Sequence, residues 1–430
     1  MNRKLARAIF ENAARIRNPS LWPSYDALKQ TEWMSKEELE TLQLKNCEKF
    51  LSYTKQYSDY YSRLFTKLGF DPKKIQDISE IIKIPEVKKE TLIKHNEEIH
   101  ANDSSLRSSI AETSGTSGAA LSFKRDEKWD SLNRATMLRS YDWYDVKPWD
   151  KNGYLWGYNI AKSEALKVKT LDALQNRFRL FSYSTKEIEG FARKLTNASF
   201  LSGYSSMIYQ VAKAINQNNL QIPNLKMIKG TSEMILDIYH RECINAFGSK
   251  MVSEYGAAES GLIAFECPHG SMHVNIENLH IDTNEKGEAI VTNFASLSFP
   301  IIRYNLRDSI ILDDRACDCG RAHPVLREIQ GRKGTTVLGH LKEYPALTFY
   351  YVFKNLALEK NLLINYKAIQ EQKGHVTIYI EGKTNRTFEH LIRTQLEKYF
   401  GEDLSFDIEY MIQFEPSRKK QQYFESMINS

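Results

Sequence analysis

Apolar positions recur along residues 36–66 at Leu39, Leu42, Leu44, Phe50, Leu51 and Tyr61, and they predict a long helix. The opening stretch MNRKLARAIFENAARIRN begins basic and has neither a continuous apolar run nor a small-residue cleavage site. It suits an amphipathic helix better than a secretory signal. Ile84-Pro85 closes a short linker ahead of a polar helix start at KKETL. Between 107 and 330 the rhythm changes. Short strand-like runs at 152–159, 198–205, 225–230 and 250–256 alternate with helical stretches such as 206–217 and 233–247, which predicts an α/β sheet. Beyond residue 331 two helical stretches, 346–360 and 387–400, accompany three segments at 362–370, 375–382 and 405–414. Apolar and polar residues alternate along much of these, as expected for a sheet with one covered face. The chain therefore reads as α/β in two parts: a large domain over 1–330 with parallel or mixed sheets and helices, and a small α+β domain over 331–430.

Composition narrows what such a chain does. At 430 residues it is too long for one ordinary core, and 42% apolar with 26% charged residues is a globular balance. The net charge of +5 is spread along the chain without a long basic run, which argues against a nucleic-acid surface and fits small anionic ligands. No stretch of about 18 apolar residues predicts a membrane span. Five cysteines, three of them clustered late, argue against a disulfide framework and for a reducing cytoplasm.

Three segments carry candidate chemistry. In ETSGTSGAALSF (112–123), Thr113, Ser114, Gly115, Thr116, Ser117 and Gly118 stand in succession. Glycines let backbone N–H groups converge and hydroxyls add donors, so the loop suits polyphosphate oxygens, although it lacks the Gly-Lys-Ser/Thr ending of a Walker loop. SEYGAAES (253–260) follows an apolar strand and offers Tyr255 to stack on a base and Glu259 to ligate a magnesium ion bridging phosphates. PIIRYNLRDS (300–309) ends a strand-like run with Asp308, a carboxylate suited to the two ribose hydroxyls.

In this order the segments resemble the adenylate-forming superfamily, and within it the phenylacetate–CoA ligase branch with relatives linked to capsular polysaccharide. The Gly331-Arg332 hinge, IPEVKKETL (84–92), LSGYSS (201–206) and GTSE (230–233) extend the likeness over nearly the whole chain. The resemblance implies a large N-terminal domain, a small mobile C-terminal domain and an active site between them. It implies that Thr113 to Gly118 bind ATP phosphates, that Glu259 holds Mg2+, that Tyr255 and Gly256 border the adenine and acyl pockets, and that Asp308 holds ribose. Arg332 would contact the nucleotide. Arg307 is counted with Glu259 and Lys420 among the catalytic candidates, with Arg303 and Arg307 as electrostatic supports, and the other reading of both arginines is a structural ion pair. FEPSRKKQQYFES (414–426) is similar to the family's catalytic lysine segment, with Lys420 in the better register than Lys419. The implied reaction joins a small carboxylic acid to ATP as an acyl-adenylate, releases pyrophosphate and transfers the acyl group to CoA. The alternatives are an amine or hydroxyl acceptor, transfer of AMP itself, and a noncatalytic nucleotide-binding subunit. The loop departs from many relatives in having Ala119, Ala120 and Leu121 where a lysine often follows the last glycine.

FECPHGSMH (265–273) and RACDCGRAH (315–323) hold a second constellation. Cys267, His269, Cys317 and Cys319 supply four donors that would close a tetrahedral structural Zn2+ site, with His273 or His323 able to replace His269. Related ligases often carry a C-x-C-G-R segment at this place, and the resemblance implies a metal-binding role for it. The other reading is three buried, reduced thiols.

Overall fold

The computed structural model describes residues 2–113, 120–155, 165–180, 185–313, 315–332, 336–414 and 423–428. The chain divides into two compact units, Met1–Trp149 with Glu254–Ile329, and Asp150–Ser253 with Gln330–Ser430. One unit boundary falls between Ile329 and Gln330. The unit that follows also takes in the 150–253 stretch, a discontinuity that local pattern does not reveal.

In the first unit the predicted long helix is two helices, Lys36–Tyr57 and Asp59–Leu68. The first opens on a capping box, in which Ser35 and Glu38 satisfy each other's backbone N–H groups at 3.2 and 2.8 Å. It ends at Ser58, whose extended backbone (φ −108°, ψ 117°) breaks the helical path, and Asp59 starts the next helix with a favourable first-turn charge. These helices bury Phe50, Leu51, Tyr61 and Phe65 against Ile263, Val291, Ile301 and Ile302 of the strands. Full burial of each such side chain is worth about 1.5–3 kcal/mol.

Those strands run, in sheet order, Leu279–Thr283, Glu288–Asn293, Ile301–Asp313, Val325–Arg332, Met272–Val274, Gly261–Glu266 and Val252–Ala257. Every registered pair among them is antiparallel. A separate hairpin, Ser108–Glu112 with Ser122–Asp126, leads into the helix Glu127–Asp142.

The second unit holds parallel strands in the order Met227–Thr231, Phe200–Tyr204, Asn152–Leu155 and Arg177–Arg179. Its helices include Ser205–Gln217 and Asp237–Phe247, close to the predicted 206–217 and 233–247. Its C-terminal part is a four-stranded sheet in the order Ser405–Met411, His375–Glu381, Tyr366–Gln372, Phe424–Ser426, accompanied by the helices Leu347–Lys360 and Arg386–Phe400. Val376, Ile378 and Ile380 alternate inward, so one face is covered as the pattern implies. The fold is α/β with a small α+β C-terminal domain. Among the described residues no helix is long and apolar enough to cross a membrane.

Candidate active site and cysteine–histidine cluster

Ser114 to Gly118 lie outside the described residues, as do Lys419, Lys420 and the side chain of Arg332. The frame of the Ser/Thr/Gly loop is described. The hairpin strands pair from Ser108↔Asp126 to Glu112↔Ser122, and Thr113 continues the closure beyond them. Its N–H donates to the Leu121 carbonyl at 2.9 Å, and its Oγ1 accepts from the Leu121 N–H at 2.9 Å. Thr113 therefore fastens the mouth of the loop.

The strand Ile301–Asp313 supplies two of the site's groups through an irregular path. Its register against Glu288–Asn293 shifts twice, between Val291 and Asn293 and between Glu288 and Ile290. Arg303 and Arg307 take positive φ at 46° and 61°. Each sits inside one of the shifted intervals, the signature of bulges that re-aim the side chains around them. Tyr304 then donates its hydroxyl to Glu259 Oε1 at 2.9 Å, and Asp308 Oδ2 accepts from the Tyr255 hydroxyl at 2.9 Å. Two sequence segments some fifty residues apart are joined by two hydrogen bonds. Glu259 and Tyr304 are buried, while Asp308 is half-buried.

Glu259 sits on the turn between the strands Val252–Ala257 and Gly261–Glu266, and Gly256 is what lets these strands close. A Cβ at 256 would stand 2.4 Å from the Gly261 carbonyl oxygen, so only glycine fits. Gly261 has φ +74°, and the next N–H, that of Leu262, donates to Asn133 Oδ1 at 2.7 Å.

Of the two arginines in R-Y-x-x-R-D, Arg303 is buried and meets Asp282 at 3.1 Å, while Arg307 reaches Glu90 at 2.6 Å on the surface. Both are committed to ion pairs. Arg125 is a site neighbour that the sequence did not single out. It lies over the rings of Trp129 and Phe123 at 5.2 and 5.8 Å and donates to the carbonyl of Ala258, next to Glu259. Burial pulls its pKa down, opposed by the carboxylates of Asp130 and Glu259.

The second constellation assembles with one substitution. Cys267, His273, Cys317 and Cys319 bring one donor atom each within 4.8 Å of one another. His269, expected as the fourth donor, is exposed in the turn between the strands Gly261–Glu266 and Met272–Val274. In that turn the Cys267 N–H bonds the Ser271 carbonyl, and register sets His273 opposite Phe265. Ser271 thus lies across from Cys267, and His273 lies across from Phe265, two residues before Cys267, so His273 rather than His269 joins the three cysteines. Cys267 Sγ lies 3.7 Å from Cys317 Sγ, and His273 Nε2 lies 3.1 Å from Cys319 Sγ. His273 Nδ1 is 3.2 Å from the His323 carbonyl, a bond that requires Nδ1–H and leaves Nε2 with its lone pair facing the sulfurs. Burial pushes the Cys267 thiol up to about 12. The Cys317 thiol is lowered: burial opposes its ionisation, but hydrogen bonds from Ser271 and the Cys319 N–H outweigh it.

No family model matches the chain. It is 21% identical over 391 residues to Protein CapK of Staphylococcus aureus, covering 86% of this chain and 85% of that protein. A solved structure of 2-hydroxyisobutyryl-CoA ligase, in the postadenylation state with an acyl-AMP, superposes with a TM-score of 0.73 at 13% identity, covering 93% of this chain and 91% of that one. An open conformation of the same ligase, with 2-HIB-AMP and CoA, superposes at 0.60 and 13% identity over 92% and 93% of the two chains. The chain has the fold of 2-hydroxyisobutyryl-CoA ligase.

Proposed function

We propose that the protein activates a small carboxylic acid with ATP to an acyl-adenylate, releasing pyrophosphate, and transfers the acyl group to CoA. The observation that carries this reading is the convergence of Tyr255 on Asp308 and of Tyr304 on Glu259, at 2.9 Å each. Two motifs chosen from sequence for nucleotide chemistry meet in one place. The fold likeness supports it, since that ligase was solved holding acyl-AMP and CoA.

A carboxylate oxygen of the acid attacks the α-phosphorus of ATP, and the bond to the β-phosphate oxygen breaks as pyrophosphate leaves. Negative charge grows on the phosphate oxygens, so the catalyst's task is to hold donors and cations there. The loop Thr113–Gly118 supplies N–H and hydroxyl donors. Glu259 fits a magnesium site because Tyr304 takes Oε1 and, among the described residues, Oε2 has no hydrogen-bond partner. A bound Mg2+ would offset charge on the departing pyrophosphate. Asp308, held by Tyr255, accepts from the ribose, and Arg332 adds positive charge to the nucleotide site. Lys420 supplies a further cation in the first step. In the second step the CoA thiolate attacks the acyl carbonyl and AMP leaves.

The cluster is assigned a structural Zn2+. With Zn–S bonds near 2.3 Å, tetrahedral geometry sets sulfurs about 3.8 Å apart, and Cys267 and Cys317 stand at 3.7 Å. Five unpaired cysteines suit a reducing cytoplasm. A panel of carboxylic acids scored for pyrophosphate release with CoA, with amines and with neither tests the reading. Release of ADP in place of AMP would refute it.

A further inference from the structure

We infer that Glu277 is a positioning residue that ties the Cys267–His273–Cys317–Cys319 cluster to the strand following the Glu259 turn, so that metal occupancy sets the order of that turn. The inference rests on the zinc and Glu259 assignments proposed above.

One carboxylate oxygen is the hub. Glu277 Oε1 meets His323 Nε2 at 2.9 Å, accepts from Thr31 Oγ1 at 2.7 Å, and is paired with Arg139 Nη1. Glu277, Arg139, His323 and Asn275 are all at least nine-tenths buried. Such a network is costly to bury and rigid once satisfied, because breaking it strands a charge away from water. Burial opposes ionisation of Glu277, but Arg139 and His323 outweigh it and hold its carboxyl well below the usual range.

From this hub two arms extend. One runs through the His323 backbone, whose carbonyl meets His273 Nδ1 at 3.2 Å and so turns the ligand nitrogen toward Cys319. That is the outer-shell task a metal-bound imidazole needs, since its other nitrogen must be held. The other arm runs through Arg139. Its Nη2 donates to Asn275 Oδ1 at 2.7 Å, and Asn275 Nδ2 donates to the carbonyls of Leu262 and Ile263 at 3.0 and 3.1 Å. Leu262 is three residues from Glu259, and Asn133, on the same helix as Arg139, takes its N–H. A loop that loses its metal loses the restraint on residues 317–323, and with it the anchor that His323 gives Glu277.

Hydrogen exchange on the full-length protein, metal-loaded and after dipicolinate stripping, is the test. Stripping should speed exchange in peptides covering 257–263 about fivefold, in the range expected for coupling energies of this size. His323→Leu removes one arm without burying a lone charge. This variant should keep its zinc and lose the exchange response at 257–263. Its pyrophosphate-exchange kcat should fall about fivefold with the KM for ATP little changed. If zinc binds the wild type but stripping quickens only 315–323, the coupling is refuted while the metal assignment stands. If the wild type takes up no zinc, the metal assignment falls and the inference with it. If His323→Leu does not fold, the wild-type comparison alone decides.

Discussion

Tyr304 donates its hydroxyl to Glu259 Oε1 across 2.9 Å, joining a bulged strand to a turn 45 positions earlier in the chain. The bond fixes how the carboxylate is presented, and in the role proposed above its second oxygen would meet the magnesium ion. Glu259→Gln should slow acyl-adenylate formation about a hundredfold or more, since a cation site acts where charge develops. Tyr304→Phe removes only the hydrogen bond and should cost about threefold to tenfold, from a net bond worth about 0.5–1.5 kcal/mol. Pyrophosphate-exchange kinetics rank the two. A larger loss in Tyr304→Phe would reverse the assignment.

The arginine at 307 separates backbone from side-chain demands. It holds φ +61°, and its ion pair with Glu90 is exposed on both sides. Arg307→Gly fits that backbone and gives up a contact worth less than about 1 kcal/mol, so melting and exchange activity should stay near wild type. Arg307→Val forces a branched side chain into the left-handed region and should cost about 1–3 kcal/mol. Strong loss of activity in the glycine variant, with stability intact, would instead place the guanidinium at the reaction.

Purified protein from zinc-replete medium should carry about one zinc per chain. Cys319→Ser and His273→Ala should lower that content, and His269→Ala should not. Metal analysis of the three variants distinguishes the structural donor set from the one local spacing suggests. Normal zinc in His273→Ala would refute it.

Acid sensitivity of the metal-free protein has a definite sign. Burial holds His273 at about 4, below its ordinary 6.5. The unfolded chain takes up a proton near 6.5 that the folded chain refuses until about 4. The buried imidazole therefore leaves stability untouched above that window and removes it as pH falls through it, by up to about 1.4 kcal/mol per pH unit. Denaturant titrations of stripped protein at pH 7 and pH 5 should show the loss, and His273→Gln should show a smaller one. Equal losses would show that His273 does not titrate as described.

The C-terminal lysines give an internal control for register. Lys420→Ala should suppress adenylation about a hundredfold while sparing conversion of a supplied acyl-adenylate, and Lys419→Ala should keep most activity. Single-turnover assays of each half-reaction decide. Damage confined to Lys419→Ala would move the assignment by one residue.

Much of the fold was legible where one periodicity governs one element. The helix Ser205–Gln217 and the strand His375–Glu381 stand within a residue or so of where their patterns put them. Ser58 was not legible, because the 36–66 periodicity runs through it while an extended backbone there ends one helix and the next restarts at Asp59. The antiparallel strands between 261 and 332 were hard to see for a related reason. The strand Ile301–Asp313 is buried on both faces over most of its length and twice bulged, so it never alternates cleanly. Motif order singles out Tyr255, Glu259 and Asp308 as candidates, but not Tyr304, the partner of Glu259, although it stands inside the quoted segment. Its role depends on where the bulge at Arg303 turns it. His269 looked like a ligand because it is two residues from Cys267. In the hairpin His273 pairs with Phe265, two residues before Cys267, and it is His273 whose ring nitrogen gathers with the three sulfurs.

Exchange of labelled pyrophosphate into ATP measures formation of the acyl-adenylate alone. The exchange should require magnesium, appear only when a suitable carboxylic acid is present, fall about a hundredfold or more in Glu259→Gln, and give way to AMP as product once CoA is added. Turnover that yields ADP and phosphate, or no exchange with any acid of the panel, would refute acyl-adenylate formation.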